Sequence, residues 1–167
     1  MSKLTALSIS IAVLGGIWAY LALGPLAGYV LVWAGFIAWG CYFHSGADGA
    51  ALQKTIAGMI YGAVIAGIAL WLVVNNPVAL PASIAGAVYI GVTVFFLVIV
   101  AGFNLLSVVP ANVYGYAAVA GYALSTNTAA NATMMDFTNP VLLVALSTVL
   151  GAIFGMVSGK AAGMLGK

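Results

Sequence analysis

The chain has 167 residues with four lysines, two aspartates, one histidine and no arginine, so 4% of it is charged where a soluble domain has about 25%. With 65% of residues apolar and 21 glycines besides, there is too little polar surface to cover a globule in water, which excludes a soluble domain and a disordered chain alike. Four dispersed lysines also cannot make the basic stripe that phosphate recognition needs, so a nucleic-acid binder is excluded.

What remains is an integral membrane protein with the lipid bilayer as its solvent. A helix needs about 20 mostly apolar residues to cross a hydrocarbon core of about 30 Å. The first such run is Leu4 to Leu23, closed by Gly24-Pro25. Lys3 precedes it as in a secretory signal, but the run is longer than a usual signal core and no clear small-x-small cleavage site follows, so it is expected to be retained. The second run, Gly28 to Phe43, ends in His44-Ser45-Gly46-Ala47-Asp48-Gly49, and the third, Lys54 to Val74, in Asn75-Asn76-Pro77. The fourth, Ala82 to Phe103, gives way to Asn104 to Ser107, the fifth is Val108 to Leu124, and after the break Ser125 to Pro140 the sixth runs from Val141 to Met164. Each break holds residues that end helices or make turns, and no run alternates as a membrane barrel does. The expected fold is an all-α membrane protein of six transmembrane helices in a single bundle over residues 1–167. The second and fifth runs are short, and read either as tilted, thin spans or as broken half-helices facing a cavity.

With six crossings both termini share a side with the loops after helices two and four. Lys3, Lys54, Lys160 and Lys167 all fall there, and the positive-inside rule makes that side cytoplasmic. Asn131-Ala132-Thr133 lies in the longest loop, on the other side, where it matches a glycosylation acceptor that has meaning only in a secretory pathway. The lone Cys41 can form no internal disulfide.

Two segments recur. Gly58-Met59-Ile60-Tyr61-Gly62 is echoed by Gly151-Ala152-Ile153-Phe154-Gly155, and Trp33 to Trp39 by Pro110 to Tyr116, in the same order. The chain thus reads as two three-helix repeats, residues 4–74 and 82–164, and an odd number of crossings per repeat gives them inverted topology. Gly151, Gly155, Gly159 and Gly163 recur every fourth residue, with Gly58 and Gly62 a shorter stripe; such stripes let helices approach closely. They serve either packing of helices three and six within the chain or an interface in a homo-oligomer, the common state of small channels.

Chemistry has few candidates. Both carboxylates lie in loops, no G-x-S-x-G, phosphate-cradling or dinucleotide motif is present, and no intramembrane Asp or Glu serves proton coupling. An enzyme is not expected, nor a cofactor. Cys41, His44 and Asp48 have a spacing that brings two softer ligands within one helical turn, but a metal site needs more donors, so none is expected. What survives is neutral: Trp33, Phe36, Trp39 and Phe43 as an aromatic face of helix two, Asn112 and Tyr116 on one face of helix five, Asn104 at the end of helix four, and Ser147 and Thr148 in helix six. Of these, Trp33, Phe36, Trp39, Asn104, Asn112, Tyr116 and Ser147 are candidate pore-lining residues, because uncharged donors and acceptors between aromatic walls suit a small neutral solute. The same residues also fit an interfacial aromatic belt and interhelical hydrogen bonding.

Trp33-Ala34-Gly35-Phe36 with Tyr42-Phe43, Ser107-Val108-Val109-Pro110-Ala111 followed by Gly115, and Leu150-Gly151-Ala152-Ile153-Phe154-Gly155 resemble the DUF1097 family of small bacterial inner-membrane proteins over most of the chain. The resemblance implies a bacterial inner-membrane location and a multi-span fold; it names no substrate and assigns no functional residue. The expected function is a channel or facilitator for a small uncharged solute of the urea, amide, ammonia or polyol type. The alternative is a structural or accessory protein that assembles through its glycine faces.

Overall fold

The computed structural model describes residues 1–166, and its regular elements are helices: α1 (Lys3–Leu23), α2 (Val32–His44), α3 (Gly49–Asn75), α4 (Ala82–Ile99), α5 (Val109–Ser125) and α6 (Pro140–Leu165). Short 3-10 turns lie at Val100–Gly102, Asn104–Leu106 and Ala129–Thr133. α1, α3, α6, and α4 with the turn that continues it, are each long and apolar enough to cross a membrane. α2 has 13 residues and α5 has 17, or about 20 Å and 26 Å of helix. They fall short of a full span on their own.

Local chemistry sets these boundaries and explains where they differ from expectation. α3 starts at Gly49, earlier than the expected Lys54, because Asp48 Oδ1 accepts a hydrogen bond from the Ala51 N–H at 2.7 Å and caps it. α2 starts later than the expected Gly28, because the preceding chain is folded into turns with Gly28 at φ +85°, a conformation glycine adopts without strain. α4 gives way to 3-10 turns after Ile99, short of the expected Phe103. α5 and α6 carry Pro110 and Pro140 in their first turns, where a missing N–H costs nothing.

In lipid, helices associate through close packing rather than hydrophobic exclusion, and two parallel pairs dominate this bundle. In the first, α2 lies along α6: Gly35 meets Gly151, Trp39 meets Gly155, and Phe43 meets Gly159. In the second, α3 lies along α5: Gly58 meets Ala111 and Asn112, Met59 meets Gly115, and Gly62 meets Asn112 and Tyr116. α3 and α6 touch between the pairs, for instance where Gly67 approaches Val141. The outer helices complete the bundle. α1 runs antiparallel on α6, with Lys3 beside Gly166 and the Ser10 hydroxyl donating to the Ser158 carbonyl at 2.8 Å. α4 leans on α3 and α5, with the Tyr61 hydroxyl donating to the Phe96 carbonyl at 2.8 Å and the Thr93 and Tyr116 hydroxyls 3.1 Å apart. The outward sides of α1 and α4 expose Leu4, Val13, Phe95 and Ile99, as a surface solvated by acyl chains requires.

The glycine stripes therefore do not pack α3 directly on α6. They pack each of those helices on a short one. A Cβ on Gly62 would overlap the Asn112 carbonyl oxygen, one on Gly115 the Met59 carbonyl oxygen, and one on Gly151 the Gly35 carbonyl oxygen. Gly159 makes only ordinary contact with Phe43, at 3.6 Å, and Gly163 has open space beside it.

Candidate functional site

The sequence-derived candidates distribute over three environments. Trp33 and Phe36 are partly exposed and line a groove of about 530 Å³ between α2 and α5, together with Ile37, Gly40, His44 and Tyr114. Phe36 stacks on the buried Trp39, ring centroids 5.7 Å apart and 13° from parallel, so the aromatic ring in the groove wall is backed by a second one.

Trp39, Asn112 and Ser147 are instead buried in helix contacts, away from the lining of the α2–α5 groove. The Trp39 indole N–H donates to Ser158 Oγ at 3.0 Å. Ser147 Oγ accepts from the Leu31 N–H at 2.7 Å and donates to the Leu143 carbonyl at 2.6 Å, fastening the entry of α2 to α6. Asn112 Nδ2 donates to the carbonyls of Leu97 and Leu106, each at 3.2 Å, satisfying acceptors that the end of α4 and the following 3-10 turn leave over. Its Oδ1 is buried without a partner, as is Thr148 Oγ1.

Tyr116 is held by Thr93, and Asn104 is exposed in its 3-10 turn, where its carbonyl accepts from the Ser107 hydroxyl at 2.8 Å. The structure thus brings Trp33 and Phe36 to one groove and spreads the other candidates through the contacts around it.

The residues with metal-ligand spacing point to separate tasks. Cys41 is buried with Thr55 Oγ1 donating to its sulfur at 3.6 Å, and Asp48 caps α3. Among the described residues no group of three or more His, Cys, Asp or Glu side chains is placed to hold a metal ion.

Two further recesses lie at opposite ends of the bundle. One of about 350 Å³ is walled by Leu31, Tyr122, Thr128, Asn131 and Phe137. Beside it the Asp136 carboxylate accepts from the Thr138 hydroxyl at 2.5 Å and the Thr138 N–H at 2.8 Å, and these bonds hold it below the usual carboxyl range. The other recess, at the end where α1 begins and α6 finishes, has a volume of about 710 Å³ and includes Lys3 and Lys160. α3 also begins there, with Gly49 in the wall and Lys54 in its second turn.

Sequence reasoning missed three polar fasteners. Asn76 caps α3 in a left-handed conformation (φ +42°), and its side chain binds both the N–H and the carbonyl of Leu80 and accepts from the Tyr89 hydroxyl at 2.8 Å. Asn139 caps α6 and donates to the carbonyls of Ala132 and Met134. Ser158 joins α1, α2 and α6. The first two were signalled by Asn immediately before Pro at a break; Ser158 inside an apolar run carried no signal.

The four long apolar helices, with two short ones packed among them, define a small all-helical membrane protein. The family model of the protein of unknown function DUF1097 matches residues 8–163, nearly the whole chain, which therefore belongs to the DUF1097 family. No curated protein and no solved structure matches it.

Proposed function

We propose that this protein is a passive facilitator for a small uncharged solute, built from two inverted three-helix repeats. The observation that carries the reading is the groove between α2 and α5, where the two short helices lie side by side. The pairing of the helices supports the repeats: α2 on α6 is matched by α5 on α3, and α1 on α6 by α4 on α3. The echoed glycines take equivalent parts in it, Gly151 and Gly155 facing α2 as Gly58 and Gly62 face α5. Short or broken helices at matched positions of inverted repeats are where such bundles keep their pathways.

The groove is open on one side. Acyl chains entering it would exclude a polar solute, so conduction requires a second copy to cover it, and the functional form in this reading is a homo-oligomer. The alternative, assembly through the glycine faces, has less support, because Gly58, Gly62, Gly151 and Gly155 already face α5 and α2 of the same chain. We place the protein in the bacterial cytoplasmic membrane, with the lysine-bearing end and both termini inside.

The test is permeability of proteoliposomes to urea, acetamide, glycerol and ammonia, measured by stopped flow. A several-fold increase over empty liposomes is expected for one or more of them, and Ala117→Trp, which fills the groove from α5, should remove it. Permeability equal to empty liposomes for every solute, with the protein shown to be folded, sinks the proposal.

A further inference from the structure

We propose that the 710 Å³ cleft bounded by α1, the α2–α3 turn and α6 is a binding site for one anionic phospholipid, headgroup phosphate between Lys3 and Lys160 and acyl chain against the apolar wall below. Three observations meet there. The first is charge. Among the described residues two lysines line the cleft against one carboxylate, Asp48, whose Oδ1 is already engaged by the Ala51 N–H. Two of the chain's four cationic side chains are thus gathered at one recess of a molecule that is otherwise almost without charge.

The second is room. Gly163 has nothing within 4 Å of the place a side chain would occupy, and Gly159 would meet only Phe43 and the edge of Tyr42. The α6 wall is therefore open where the charges are. Tyr42 does not close it, because its hydroxyl is bound to the Ala47 carbonyl at 2.6 Å.

The third is polarity graded with depth. The rim carries the lysines, whereas the wall includes the partly buried Leu7 and Met156, so one molecule that fills the cleft must be anionic at one end and apolar at the other. The cleft also sits at the ends of the helices, at the level of the headgroups, where each lysine near an anionic surface favours binding by about fivefold. A soluble phosphate satisfies the rim and leaves the wall unfilled; a phospholipid satisfies both.

The experiment is native mass spectrometry of the purified protein released from nanodiscs containing phosphatidylglycerol and phosphatidylcholine. Selective retention of one phosphatidylglycerol per chain is expected. The double variant Lys3→Gln/Lys160→Gln should lose that retention by roughly 25-fold, whereas Lys3→Arg/Lys160→Arg and Lys54→Gln should keep it. Circular dichroism and gel filtration establish that each variant is folded. Equal retention of both lipids, full retention by the double glutamine variant, or an equal loss in Lys54→Gln would overturn the site. Displacement of the lipid by millimolar inorganic phosphate would also overturn it, in favour of a soluble anion.

Discussion

The two parallel helix pairs solve one packing problem with different chemistry. In the α3–α5 pair glycine stands on both sides: Gly62 against the Asn112 carbonyl, and Gly115 against the Met59 carbonyl. The two backbones touch, and the polar group left over, Asn112, is turned toward the carbonyls at the end of α4. In the α2–α6 pair the tightest backbone approach is where Gly35 meets Gly151. Around that point aromatic side chains fill the space, with Trp18 buried against Gly35, its indole N–H donating to the Val32 carbonyl at 2.8 Å, and Trp39 tied to Ser158. The first pair depends on absent side chains and the second on large ones, so the pairs should fail in different ways.

The largest effect is expected from giving the first pair a side chain. Gly62→Ala or Gly115→Ala forces a Cβ into a carbonyl oxygen that neither helix can move alone, and should cost about 4 kcal/mol or more, read as loss of the folded species in a denaturant titration in detergent. Gly151→Ala should behave the same way. A cost below about 1 kcal/mol at these positions would show that the helices part easily, and would break the comparison.

Asn112→Ala comes next. It strands two carbonyls and should cost about 2 kcal/mol, with Asn112→Leu no better, because the carbonyls and not the cavity set the penalty. Trp39→Phe and Trp18→Phe keep most of the aromatic volume and each remove one hydrogen bond, about 1 kcal/mol by thermal shift. If Trp39→Phe costs as much as Gly62→Ala, polar fasteners and not aromatic volume hold the second pair.

The smallest effect lies outside both pairs, at Asp136. Its carboxyl is held below the usual range by Thr138, so the charged form favours the folded loop. That contribution is complete above the ordinary aspartate pKa and is lost as pH falls through the lowered folded value. Loop protection in hydrogen exchange should therefore weaken only in strong acid, and Thr138→Val, which removes the hydroxyl donor and keeps the backbone N–H, should reduce that dependence.

The apolar runs of the sequence located all six helices, and in α1, α5 and α6 the boundaries agree within about a residue, because in lipid an apolar run and a helix are nearly the same thing. Legibility stopped where a single side chain decides. Asp48 extends α3 backward through one capping bond, and Gly28 delays α2 through one φ angle; neither alters hydropathy. The site was less legible still. Trp33, Phe36, Trp39 and Phe43 sit at helical spacing, yet Trp33 and Phe36 face the groove and Trp39 the core of the bundle. Period alone cannot say which neighbour a face meets when every neighbour is apolar. Asn112 was noticed for its polarity, but its role follows from where α4 ends, which hydropathy blurs over three residues of 3-10 turn.

The fastening of α2 to α6 also bears on how the protein is made. Leu31 and Ser147 are 116 residues apart and Ser10 and Ser158 are 148 apart, so the first two helices leave the ribosome long before the surface they pack on exists. α3 and α5, by contrast, find each other within the middle of the chain. α2 therefore meets the helix it packs on most extensively only when the last segment is made. A chain stalled before α6 would hold a complete α3–α5 pair and an α2 without the helix it packs on.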